Sequence, residues 1–154
     1  MPLTLSSPKW RAGETIPKQF TADGPDVSPP LVFEGVPAGT VAFVLICDDP
    51  DAPVGTWVHW VIYDIPGTAR GLPEGVAKTG ALPDGSRQGK NSWKKLGYGG
   101  PSPPPGKPHR YFFRLYALRE PIGAAPGLIA KDAEAAAQGR SIGSAEYMGT
   151  YGRS

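Results

Sequence analysis

The sequence predicts a mainly β fold, an antiparallel sandwich in one domain spanning residues 1–154, with one or a few short helices. Three observations predict it. Apolar runs rich in β-branched and aromatic residues recur at Val41–Cys47, Trp57–Ile65 and His109–Leu118. The 21 glycines and 19 prolines fall between these runs as turn punctuation. No strand–helix–strand alternation appears, which argues against a parallel sheet.

In chain order, Thr4–Ser6 is a short β-like start, and residues 20–30 (FTADGPDVSPP) are turn chemistry that disfavours helix at both ends. Leu31–Glu34 reads as a short strand, closed by Val36-Pro37 and Ala38-Gly39. Val41–Cys47 is apolar on both faces and reads as a buried strand. Trp57–Ile65 is a second central strand, interrupted only by His59, Tyr63 and Asp64, and strict alternation puts His59 on one face with Trp57 and Val61. Residues 66–108 form a long Gly/Pro/Lys-rich stretch, a length that usually marks a functional or disordered segment. His109–Leu118 alternates, placing His109, Tyr111, Phe113, Leu115 and Ala117 on one face. Ala130–Gln138 is the one convincing helix, alanine-rich with early acids and Gly139 as its stop. Ala145–Tyr151 has β character for a last strand.

Composition excludes several functions. Charged residues are 19% and the net charge is +2, with Lys94-Lys95 the nearest thing to a basic run, so nucleic acid is not an expected partner. Cys47 is the single cysteine and ends an apolar run, which predicts a buried, unreactive thiol. MPLTLSSPKW lacks a basic region followed by an apolar core, and no window is long and apolar enough to span a bilayer; the expectation is a soluble, cytoplasmic protein.

Candidate chemistry is sparse. The two histidines, His59 and His109, both lie in predicted central strands, where an imidazole needs a partner. Asp48-Asp49-Pro50-Asp51-Ala52-Pro53 puts three carboxylates in four positions after a buried strand, and the prolines restrict how they point; a cis peptide before Pro53 would make so sharp a corner. Taken singly, each feature has a bland reading as a satisfied core histidine or an Asp-Pro turn.

Their combination is more specific. D-D-P-D-A-P, W-V-H-W, G-P-S-P-P and P-H-R-Y resemble the signature regions of the phosphatidylethanolamine-binding family, in its bacterial and archaeal YbhB/YbcL-like, Raf-kinase-inhibitor-like branch. F-T-A-D-G-P-D-V-S-P-P-L, V-P-A-G-T and G-T-Y-G-R extend the resemblance over the chain. It implies a pocket made of Asp49, Asp51, His59, Pro103, Pro104, His109 and Tyr111, holding a phosphate monoester or headgroup. In that pocket Asp49 would orient His59, whose charged ring, with His109 and Tyr111, would donate to the anion; affinity would then weaken as the imidazoles deprotonate. The resemblance calls for no cofactor, no metal and no catalytic residue, and by analogy it implies a homodimer and a regulated kinase or other protein partner. Mammalian members carry a further tyrosine on a carboxyl-terminal helix that this sequence lacks, so Tyr151 is not its equivalent and the mouth is expected to be more open or closed by a neighbouring subunit. Two rivals stand beside it, a hydrolase with a His/Asp site, against which the lack of a serine next to either histidine in sequence counts, and a zinc site, against which the ligand spacing counts.

Overall fold

The structure, a computed structural model, describes residues 2–154. Its strands are β1 (Thr4–Ser6), β2 (Leu31–Glu34), β3 (Ala42–Asp49), β4 (Trp57–Pro66), β5 (Gly71–Leu72), β6 (Arg87–Gln88), β7 (His109–Leu118) and β8 (Ser141–Tyr151), with a helix α1 (Ala130–Gln138) and a single 3₁₀ turn at Lys18–Phe20. Every pairing between these strands is antiparallel. The small sheet has the order β1-β2-β5 and the large one β6-β4-β3-β7-β8.

The two sheets pack face to face. Leu5, Leu31, Phe33 and Leu72 of the small sheet share one buried core with Phe43, Leu45, Phe113 and Leu115 of the large one, and the Phe33 and Phe43 rings meet at 5.0 Å. The opposite face of the large sheet buries Val44, Ile46, Val61 and Tyr63 against Ala133 and Ala137 of α1. β3, covered on both sides, therefore reads as the continuous apolar run expected of a central strand. Cys47 is buried within it, and that burial pushes its thiol well above the ordinary range.

Residues 66–108 are less featureless than the sequence implies. β5 closes the small sheet and β6 edges the large one, each only two residues long. Strands this short carry no periodicity, and these are bounded by glycines and prolines.

Simple alternation also fails in β4. Cys47 pairs with Trp60 but Asp48 pairs with Val58, so His59 is an extra residue, a β-bulge. A second irregularity lies between Phe43–Ile65 and Leu45–Ile62, where Asp64 takes a φ of 52° and its carboxylate accepts the backbone N–H groups of Ile122 and Gly123. The bulge corrects the expected facing of the strand: Val61 turns to α1, while the His59 ring lies against Tyr111 of the inter-sheet core.

Candidate functional site

Antiparallel pairing decides which chain ends meet. β3 lies between β4 and β7 and runs opposite to both, so its last residue, Asp49, sits beside the first residues of its neighbours. Those neighbours begin with Trp57-Val58-His59 and His109-Arg110-Tyr111. One end of the large sheet thus gathers a carboxylate, two imidazoles and a phenol, with Asp49 and His109 meeting across 60 residues of chain.

They line a hollow of about 190 Å³. Asp49, His59, His109 and Tyr111 supply its polar lining, with Ser102 beside them. Trp57, Trp93, Pro53, Pro103 and Pro104 supply its apolar walls.

Each polar group is held in a defined state. His109 donates from Nδ1 to Asp49 Oδ2 at 2.7 Å, and Asp49 Oδ1 accepts the Asp51 backbone N–H at 2.8 Å, so both carboxylate oxygens are engaged. His59 donates from Nδ1 to the Gly99 carbonyl at 2.7 Å, and its ring is gripped edge-on by Trp93 and Tyr111, each at 5.1 Å. The Tyr111 hydroxyl is buried and has no hydrogen-bond partner among the described residues. Burial, and then the nearby Asp49 charge, push that phenol far above its usual range, so it stays a donor.

Burial pushes the His59 imidazole below its ordinary value, opposed by its bond to Gly99. The unfolded chain therefore binds this proton more tightly than the folded one, and the contribution to stability is complete above the ordinary pKa near ~6.5 and lost as pH falls from there towards the lowered folded value. A histidine side-chain titration followed by NMR should give His59 a midpoint below ~6.5; a midpoint above it would contradict the burial.

Three expectations need correction. Asp49 braces His109, not His59: the His59 ring, at the bulge, gives its Nδ1 to the Gly99 carbonyl, whereas the His109 ring at the start of β7 reaches the Asp49 carboxylate at the end of β3. Asp51 lies outside the hollow. Its carboxylate accepts from Arg110 Nε and Nη2, both at 2.9 Å, which holds it down to about 2, and it lines an adjoining hollow that shares Pro104 and His109 with the first. Among the described residues no peptide bond is cis, so the turn before Pro53 is made with trans bonds.

Nothing in the sequence singles out Trp93, one of the two tryptophan walls of the hollow. It is 39% exposed and sits in the Asn91-Ser92-Trp93 turn, where Asn91 Oδ1 accepts the Trp93 N–H at 2.9 Å. An Asn two residues before a tryptophan in a Gly/Pro-rich stretch is the only local signal for it. Gly99 is required beside it, because a Cβ there would lie 2.6 Å from the Trp93 ring.

The family model described as phosphatidylethanolamine-binding protein matches residues 6–152. The chain belongs to that family. A UPF0098 protein of Methanothermobacter thermautotrophicus is 50% identical over 138 residues, covering 90% of this chain and 91% of the relative. UPF0098 protein YbhB of Escherichia coli is 42% identical over 123 residues, covering 75% and 78%. Among solved structures, E. coli YbcL, described as a new member of the mammalian PEBP family, superposes with a TM-score of 0.92 at 31% identity over 100% of both chains. A PEBP homolog of Chlamydia trachomatis gives 0.90 at 34% identity, covering 99% of each chain.

In this PEBP-family chain the terminal G-T-Y-G-R segment has a structural task. Arg153 donates from Nη1 to the Pro103 carbonyl at 3.0 Å and pairs with Asp23 at 2.7 Å, while Tyr151 donates to the same Asp23 carboxylate. These bonds hold Asp23 down to about 2 and tie the proline rim to β8. Arg153→Ala is expected to weaken ligand binding about three- to tenfold by loosening Pro103, with little change in thermal midpoint, because the Arg153–Asp23 pair is exposed. Calorimetry paired with a melting curve checks both halves.

Proposed function

We propose that this protein is a binding protein, not an enzyme, that holds a phosphate-like oxyanion in the hollow between His59 and His109. The observation that carries the reading is the convergence of both imidazoles on one small cavity whose lining includes Tyr111, a residue with a buried hydroxyl and no hydrogen-bond partner for it among the described residues. A buried phenol without a partner is costly, and an oxyanion oxygen satisfies it. Pro103 and Pro104 donate nothing; with Trp57 and Trp93 they shape and dry the rim, which strengthens every polar contact inside.

The phosphate arrives on a lipid headgroup or on a phosphorylated residue of a protein such as a kinase, and the protein works in the cytoplasm. Among the described residues no helix is long and apolar enough to cross a membrane. Against hydrolysis, no serine or threonine hydroxyl hydrogen-bonds either imidazole among the described residues. Nor does any group of three or more His, Cys, Asp or Glu residues suited to a metal occur among them.

Calorimetry with inorganic phosphate and phosphoethanolamine near pH ~6 tests the reading. One site per chain, lost in His59→Ala and in His109→Ala, is expected; no binding, or binding indifferent to both variants, would overturn it. Nitrophenyl esters should be hydrolysed no faster by the wild type than by His59→Ala.

A further inference from the structure

A neutral imidazole has one N–H, and both rings have already committed theirs. A carbonyl oxygen only accepts, so the 2.7 Å bond from His59 to Gly99 requires the proton on Nδ1. The 2.7 Å bond from His109 to Asp49 Oδ2 requires the same of that ring. Each Nε2 is left without a protein partner among the described residues. In the neutral ring Nε2 is an acceptor, and it becomes a donor only when the ring is charged.

The two rings differ in what balances a charge. His109 faces a carboxylate, Asp49, whereas His59 faces a neutral carbonyl and is gripped by the Trp93 and Tyr111 rings. The remaining ionisable groups acting on His59 are Asp49 and, from the segment before β2, Asp26. Around His109 and Tyr111 they are Asp51, Cys47 and, beyond β8, Arg153; Arg110, on β7 itself, is occupied by Asp51. None of these supplies His59 with a contacting carboxylate.

We infer that the two histidines read the ligand with opposite polarity: His109 donates to an anionic oxygen, and His59 accepts the hydrogen of a P–OH group. This rests on the oxyanion reading above and narrows its ligand class to a singly protonated phosphate, free or as a monoester. Tyr111 donates to a second anionic oxygen. Sulfate and sulfate esters have the same shape but carry no hydrogen at neutral pH, so they turn an anionic oxygen towards the His59 lone pair. Two acceptors then face each other at close range, and the anion is rejected.

The test is a matched set of four titrations by calorimetry near pH ~6, where phosphate monoesters still hold their second proton about half the time. Inorganic phosphate is compared with inorganic sulfate, and phosphoethanolamine with ethanolamine O-sulfate. Each phosphate should bind at least about tenfold more tightly than its sulfate partner. Comparing the two phosphates separates a free anion from a headgroup as the source. In His59→Gln, whose amide supplies an N–H as well as an acceptor, the preference should fall to within about threefold. Equal affinity for phosphate and sulfate in the wild type would overturn the inference while leaving the oxyanion site standing. Failure of all four probes to bind would instead remove the oxyanion reading itself. Should His59→Gln not fold, the wild-type ratio alone decides.

Discussion

His109→Ala is expected to weaken phosphate binding by about 100-fold. A hydrogen bond to a charged partner contributes roughly 1.5–3 kcal/mol, or about 10- to 150-fold. The loss falls at the upper end because the substitution also strips Asp49 of its partner, leaving a buried carboxylate against the arriving anion. The double variant His109→Ala/Asp49→Asn separates the two effects: removing the negative charge should recover part of the affinity but not the missing donor. Calorimetry on both variants, with melting curves to confirm folding, decides it. A loss under about threefold in His109→Ala would show that this ring does not touch the ligand.

Trp60→Ala has the largest expected effect on stability, about 3–5 kcal/mol. Trp60 is fully buried in the inter-sheet core, where its ring meets Tyr98 edge-on at 5.5 Å and its Nε1 donates to Gln88 Oε1 at 2.7 Å. Alanine leaves a cavity and an unpaired amide oxygen on a residue that also anchors residues 77 and 79 through its NH₂ group. For a chain of this size the midpoint should drop on the order of 10 °C. Trp60 directly follows the bulged His59, so the same variant should also cost ligand affinity. Chemical denaturation showing less than about 1 kcal/mol of loss would contradict the packing.

Regular elements were legible where one signal dominated. Ala130–Gln138 combines alanine, early acids and a terminal glycine, and it is the observed helix. His109–Leu118 alternates cleanly and is the observed β7, because one face packs against the other sheet while the other is partly solvated. β8 begins earlier than Ala145, at Ser141, since pairing along β7 holds Ser141–Ser144 extended despite their weak β propensity. The two-residue strands β5 and β6 were invisible for the opposite reason, having tertiary pairing and no local pattern.

The hollow was legible as a set of lining residues and only partly as a geometry. Asp49, His59, Pro103, Pro104, His109 and Tyr111 all line one hollow. Which carboxylate meets which ring depends on the bulge at His59 and on the register of β3 between its neighbours, and neither leaves a mark in the local sequence. Asp51 reads like its neighbour Asp49, yet two residues further along the turn it reaches Arg110 instead. Trp93 arrives from a stretch with no strand or helix pattern at all.

The central claim is that His59 and His109, from separate strands, engage one anion together, and histidine-selective ¹⁵N NMR during a titration with inorganic phosphate tests it most directly. Both pocket-facing Nε2 resonances should shift along a common saturation curve, while each Nδ1 stays protonated on Gly99 or Asp49. Movement of only one ring, or two rings saturating at different phosphate concentrations, would contradict a shared site.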